Sequence, residues 1–99
     1  MNRTLVIEPE AEIEIQDAAD WYDQRNSATR LDFFRAINRV LDFICENPHQ
    51  YQVVYRAVRR ALVDGYPYAF FYTASESQVI VVSCFHTSRD PTVWRERIR

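Results

Sequence analysis

Between residues 9 and 23 the apolar positions recur with helical spacing. Ala11, Ile15, Ala18 and Tyr22 fall at i, i+4, i+7 and i+11, one face of a helix. Ala19 and Trp21 flank that stripe, whereas Glu10, Glu12, Asp17, Asp20 and Asp23 lie mainly off it and are expected in solvent. Ile13 points away from the stripe, an apolar residue on a polar face. Glu8-Pro9-Glu10 opens the helix, because proline is tolerated at the first helical position and acids there oppose the positive end of the dipole. A polar break runs from Gln24 to Ala28. Beyond it Phe33, Phe34, Ile37, Val40, Leu41 and Ile44 share a second, wider helical face. Thr29-Arg30-Leu31-Asp32 fits a capping box at its start, and Asn47-Pro48 stops it. Two helices joined by so short a loop run antiparallel, as a hairpin.

Elsewhere the period is closer to two. Thr4 to Ile7 reads as a short first strand. After Pro48, strands are predicted over Gln52 to Arg56, Arg59 to Val63, Tyr68 to Thr73 and Gln78 to Phe85. Asp64-Gly65-Tyr66-Pro67 is a turn that contains the chain's one glycine, and Ala74 to Ser77 is another. Asp90-Pro91 is a good N-cap followed by a first-turn proline, so Thr92 to Arg97 should form one or two helical turns. The predicted class is α+β in a single domain, residues 1–99. It comprises an N-terminal strand, an antiparallel two-helix hairpin, a mainly antiparallel four-strand meander and a short C-terminal helix. The hairpin should cover one face of the sheet. The other face is left to the chain's end, to a partner or to solvent.

Composition narrows the functional classes. A 47% apolar chain of 99 residues supports one compact core. There is no run of eighteen apolar residues, so no membrane association is expected. Met-Asn-Arg-Thr leads directly into the first strand and leaves no room for a signal peptide. Cys45 and Cys84 sit in apolar stretches and read as core residues, and His49 and His86 share no ligand-like spacing with them. No metal or other cofactor is therefore expected, and the location expected is a reducing cytoplasm. The net charge of −2 is unevenly spread. Residues 1–50 hold ten acids and five arginines (−5), and residues 51–99 hold four acids and seven arginines (+3). All twelve basic residues are arginine, whose planar fork suits bidentate pairing with carboxylate or phosphate. The overall acidity argues against non-specific coating of nucleic acid.

The candidate chemistry gathers at the end of the last strand. By strict alternation Val79, Val81, Ser83 and Phe85 share one face, and Ile80, Val82, Cys84 and His86 share the other. Arg59 and Arg60 are strand neighbours and point to opposite faces, so at least one projects toward the open side. Arg89 follows His86 by three residues and can curl back toward it. The functional expectation is a shallow cationic-aromatic face built from Arg59 or Arg60, Tyr72, His86, Arg89 and Trp94, with Arg97 as a further candidate. Such a face can hold a phosphate, and an imidazole there can shuttle a proton. A purely structural reading of the same residues expects His86 hydrogen-bonded at a strand end, Arg89 paired with Asp90 or Glu96, and Trp94 packed as a lid on the core.

Several segments come in a telling order. They are Ala19-Asp20-Trp21-Tyr22, Phe34 with the apolar helix behind it, Asn47-Pro48-His49-Gln50-Tyr51, Val58-Arg59-Arg60, Tyr66-Pro67-Tyr68 and the run from His86 to Arg97. Together they resemble the RelE/ParE superfamily of type II toxin-antitoxin toxins, on the ParE-like side, over nearly the whole chain. The resemblance implies that same order of elements. It also implies a small cytoplasmic toxin of the plasmid-stabilisation kind, neutralised by an antitoxin encoded beside it in a hetero-oligomeric complex. Two targets follow by resemblance. ParE-like members inhibit DNA gyrase by binding, and the low basic content favours that branch. RelE-like members are ribosome-dependent mRNA endonucleases, and in that branch His86 would be general acid or base, with Arg59, Arg60 or Arg89 clamping the phosphorane. An inert member that only binds its antitoxin is the third reading.

Overall fold

The computed structural model describes residues 3–98. Its elements are β1 (Thr4–Ile7), α1 (Pro9–Asp23), α2 (Ser27–Glu46), β2 (Val53–Tyr55), β3 (Val58–Leu62), β4 (Tyr68–Ala74), β5 (Gln78–His86) and α3 (Thr92–Arg95). The strands form one sheet in the order β1-β5-β4-β3-β2. β2 to β5 make the antiparallel meander, and β1 joins parallel to β5 with Thr4 opposite Gln78 and Ile7 opposite Val81. The first strand thus pairs with the last. None of the described helices is long and apolar enough to cross a membrane.

Local sequence explains the elements. Pro9 sits in the first turn of α1 with Glu10 and Glu12 beside it. The cap of α2 falls at Asn26, three residues before the expected Thr29. Asn26 is extended and its side chain accepts from Ala28 N at 2.9 Å, so the Asn cap takes precedence and Thr29 becomes helical. Gly65 has φ +82°, and Tyr66 N donates to Val63 O at 3.2 Å. That places glycine third in a β-turn, where a positive φ is required. The β2–β3 connection is the two-residue Arg56-Ala57, and Arg56 has φ 52°. α3 ends at Arg95 rather than Arg97, and Asp90 Oδ1 accepts from Thr92 N at 3.0 Å. That bond holds the Asp90 carboxyl below the usual carboxylate range.

The sheet divides two cores. On the helix side, Ala11, Ile15 and Ala18 of α1 and Phe33, Ile37 and Ile44 of α2 bury against Ala61, Phe70, Tyr72, Val79, Val81 and Cys84. Both helices face inward as their periodicity predicted, and Ile13 is 61% exposed, as its position off the stripe implied. On the other side a smaller cluster of Val58, Ala69, Phe71, Val82 and Phe85 is covered by Trp94 of α3.

Strict alternation along β5 fails at one point. Phe71 pairs with Ser83, but Tyr72 pairs with Val81, so Val82 is an extra residue in β5. The bulge shifts the pattern by one. Cys84 therefore joins Val79 and Val81 on the helix side, and Phe85 joins Val82 on the other, the reverse of the expected assignment for Cys84 and Phe85.

β1 is too short to pair with all of β5. Past Ile7 the chain turns into α1, and the exposed β5 edge is taken over by side chains. Cys84 N and Ser83 Oγ donate to Glu14 Oε1 at 3.2 and 2.9 Å, and Arg97 Nη1 donates to Val82 O at 3.0 Å. The same guanidinium grips Glu14 with two bonds, Nη1 to Oε1 at 3.2 Å and Nη2 to Oε2 at 3.1 Å. This clasp fastens α1, β5 and the segment after α3 to one another.

Candidate functional site

β5 ends at His86, and the chain then turns back across the sheet's open face to deliver α3. Between that face and α3 lies a groove of about 270 Å³. Its floor is apolar, with Phe71, Phe85 and Trp94 among its lining residues. Trp94 is 1% exposed, stacks on Phe71 with centroids 4.2 Å apart, and meets Tyr55 edge-on at 5.9 Å.

Three guanidiniums border the groove, each from a different part of the chain. Arg60 comes from β3, Arg89 from the loop after β5, and Arg95 from α3. The Arg89 guanidinium lies 4.5 Å over the Phe85 ring, and that of Arg95 lies 5.1 Å from Tyr55 and 5.6 Å from Trp94. These cation–π placements hold the charges at the rim without neutralising them. Among the described residues the salt bridges are Arg30–Asp20 and Arg97–Glu14, so none of the three has a carboxylate within 4 Å. Among the described residues, Trp94 Nε1 and Arg95 Nε are buried without a hydrogen-bond partner. The groove is rich in donors and positive charge.

His86 stands at the tip of β5, between this groove and a second cleft against α1 that includes Asp17, Trp21 and Tyr68. Its ring meets Tyr68 edge-on at 5.2 Å. Ser88 N donates to Nδ1 at 3.1 Å, and Ser88 Oγ lies 2.8 Å from the same nitrogen. An amide N–H donating to Nδ1 requires a lone pair there, the arrangement of the tautomer with its proton on Nε2. Burial pushes the Cys84 thiol up to about 12, with Glu14 adding to the effect, so it offers no thiolate nucleophile at neutral pH. Among the described residues no three His, Cys, Asp or Glu side chains are grouped as a metal site would require.

The expected cluster is assembled in part. Arg60, His86, Arg89 and Trp94 converge on the groove. Trp94 also fulfils the structural expectation of a lid, and the His86 ring is hydrogen-bonded, but Arg89 pairs with an aromatic ring instead of Asp90 or Glu96. Three expected members lie elsewhere. Arg59 pairs across the sheet with Tyr72, on the helix side, and its Nη1 donates to Tyr51 O at 2.6 Å and His49 O at 3.3 Å. It ties down the loop after α2. Tyr72 is fully buried in the helix-side core and donates to Pro48 O at 2.6 Å, with burial pushing its phenol up to about 12. Arg97 is committed to Glu14 and Val82. Two residues were missed. Arg95 follows Trp94 in a helix that the Asp90-Pro91 cap had announced, so its place at the rim was open to inference. Glu14 carried no signal in the sequence that set it apart from the other acids of α1.

The comparisons with known proteins agree with one another. A family model described as the ParE toxin of the type II toxin-antitoxin system, parDE, matches residues 5–91. Among solved structures the chain is similar to one described as a chromosomal ParDE TA system from P. aeruginosa. The TM-score is 0.76 at 11% identity, over 87% of this chain and 97% of that one. At that identity the likeness speaks for the fold. Among curated protein sequences nothing matches.

Proposed function

Since the chain belongs to the ParE toxin family of type II toxin-antitoxin systems, we propose that it is a cytoplasmic toxin that inhibits DNA gyrase by direct binding and is neutralised by a cognate antitoxin in a hetero-oligomer. The observation that carries the binding mode is the chemistry of the groove. Phosphodiester cleavage through a 2′-OH calls for a group that accepts a proton and for surfaces that seat the bases. At the tip of β5 the imidazole has Nδ1 engaged by the Ser88 amide and hydroxyl. The aromatic rings of the floor are at most 7% exposed, so no ring face is free for a base to stack on. Guanidiniums around an apolar floor favour macromolecular contact, in which arginine is a frequent anchor.

A ribosome-dependent endonuclease is the second reading, favoured by the convergence of His86, Arg60 and Arg89. Inducible expression with parallel labelling of DNA, RNA and protein synthesis separates the two. The gyrase reading expects an early fall in DNA synthesis with trapped gyrase–DNA cleavage complexes, and translation at first unchanged. Immediate arrest of translation, with codon-linked mRNA cuts that vanish in His86→Ala, would reject it in favour of the nuclease.

A further inference from the structure

We propose that the cavity between the end of α1 and the paired ends of β4 and β5 is an aromatic cage that binds a small quaternary ammonium ion. The cavity lies on the helix side of the sheet, round the tip of β5 from the groove under α3, and its assignment is independent of the toxin reading.

The wall of the cavity is made of rings. Trp21 and Tyr22 come from the last turn of α1, Tyr68 opens β4 and His86 closes β5, with Pro67 beside them. Successive rings meet edge to face. Trp21 and Tyr22 have centroids 5.0 Å apart at 87°, Tyr22 and Tyr68 6.4 Å apart at 67°, and Tyr68 and His86 5.2 Å apart at 79°. Rings turned against one another in this way make a concave wall instead of a flat stack, so one seated group meets several of them at once. The β4–β5 register sets Tyr68 opposite His86 and keeps those two in place. Unlike the floor of the groove, this wall is accessible. Trp21 is 47% exposed, and Tyr22, Tyr68 and His86 are half-buried.

Charge decides what the wall holds. The face of an aromatic ring attracts a cation within about 6 Å of its centroid. The indole of Trp21 already does so on its other side. The Arg25 guanidinium lies 3.3 Å from the Trp21 centroid and donates to Trp21 O at 2.9 Å, yet Arg25 does not line the cavity. That contact fixes the plane of the indole from outside. α1 supplies a field of the right sign, since Glu10, Glu12, Glu14, Asp17, Asp20 and Asp23 face no basic residue of the same helix. Asp17 lines the cleft that adjoins the cavity and, among the described residues, forms no salt bridge. The same field separates a cation from a nucleotide, which would seat its base on these rings but bring its phosphate against the acidic helix.

Size and hydrogen bonding narrow the cation. About 180 Å³ is below the roughly 300–1,000 Å³ that encloses a whole small molecule, so the cavity takes a head group. The carboxylates lie in the adjoining cleft of about 380 Å³, not in the lining of the cavity itself. A bare ammonium would give up its bonds to water there with no carboxylate in their place, whereas a fully methylated nitrogen has none to lose. Arg89, at the border of the cleft, repels a second positive charge. The ligand class is therefore a monovalent, choline-like ion and not a polyamine.

Calorimetry and proton NMR test this with choline and with its neutral isostere, in which carbon replaces nitrogen. The expected result is that choline binds, that its N-methyl resonance moves upfield through the ring currents, and that the isostere binds more weakly on the order of tenfold. Trp21→Leu should weaken choline on the order of tenfold and abolish the upfield shift. Asp17→Asn should weaken choline about threefold and leave the isostere unchanged. Both positions are exposed, and circular dichroism checks that the variants fold. Phe43→Leu, an exposed aromatic at the far end of α2, should bind as wild type.

Equal affinity for the isostere, unchanged choline binding in Trp21→Leu, or neither heat nor shift with wild type at tens of millimolar choline overturns the proposal. Tighter binding of spermidine or AMP than of choline overturns the ligand class. A peptide bearing trimethyl-lysine and vesicles of phosphatidylcholine present the same head group on a protein or a bilayer. A tenfold preference for either over choline overturns the assignment to a free ion, and equal or weaker binding supports it.

Discussion

Replacing Glu14 by Ala should destabilise this domain more than any other exchange of one surface-contacting acid, because the carboxylate serves three elements at once. It accepts from Ser83 Oγ at 2.9 Å, Cys84 N at 3.2 Å and Arg97 Nη1 and Nη2 at 3.2 and 3.1 Å. Ser83 is fully buried, so its hydroxyl has no water to turn to. Removing one partner of a buried, hydrogen-bonded ion pair typically costs about 3–5 kcal/mol. The Glu14 and Arg97 side chains keep 15% and 25% of their exposure, so solvent screens the pair and the lower end applies, about 3 kcal/mol. For a domain of this size that is on the order of 15 °C in Tm. Arg97→Ala should cost about half as much, since Glu14 keeps its bonds from Ser83 and Cys84 and only Val82 O loses its donor. The double variant should fall short of the sum by about 1–2 kcal/mol, the coupling expected of side chains in one network. Urea unfolding followed by circular dichroism measures all three. A loss below about 1 kcal/mol for Glu14→Ala, a reversed order of the single variants, or an additive cycle would refute the clasp as a stabilising element.

Two further predictions use the same assay. Tyr72 ionises near 10 when unfolded and at about 12 in the fold, where burial disfavours the phenolate. Its contribution is therefore fully present below pH 10 and is lost as pH rises toward 12. Tyr72→Phe should cost about 1 kcal/mol at neutral pH by removing the bond to Pro48 O and should show a shallower alkaline decline than wild type. Identical pH slopes would count against the assignment. Gly65→Ala should cost about 1 kcal/mol through backbone strain alone, since a β-carbon there meets nothing within 4 Å while φ is +82°. No measurable loss would mean that the turn relaxes to another conformation.

What could be read from the sequence, and what could not, follows from the range of the forces involved. The hairpin and the meander were legible because periods of 3.6 and 2 are local and survive in a single chain. The faces of β5 were not. Val79 to Val82 is uniformly apolar, and a run without alternation gives no sign of where an extra residue slips in. The Asn26 and Thr29 caps compete within three residues, and only the observed bond to Ala28 N decides between them. Arg59 and Arg60 are equivalent until β3 is paired with β4, when Arg59 falls opposite Tyr72 on the helix side and Arg60 opposite Phe71 on the groove side. The residues expected to gather near the end of β5 thus divide between the two sides of the sheet. Glu14 and Arg97 meet across 83 positions in the chain, and no local pattern announces such a contact.

The pairing of β1 with β5 ties folding to the synthesis of β5. While the nascent chain emerges, the apolar stripe of α1 and the four residues of β1 have no long strand to settle on until β5 has left the ribosome. Closing so distant a pair is slow relative to the local hairpins. A polypeptide cut short before β5 would therefore be no weakened version of this molecule. It would carry a half-covered helix face and a lone strand, which is the kind of chain that quality-control proteases remove.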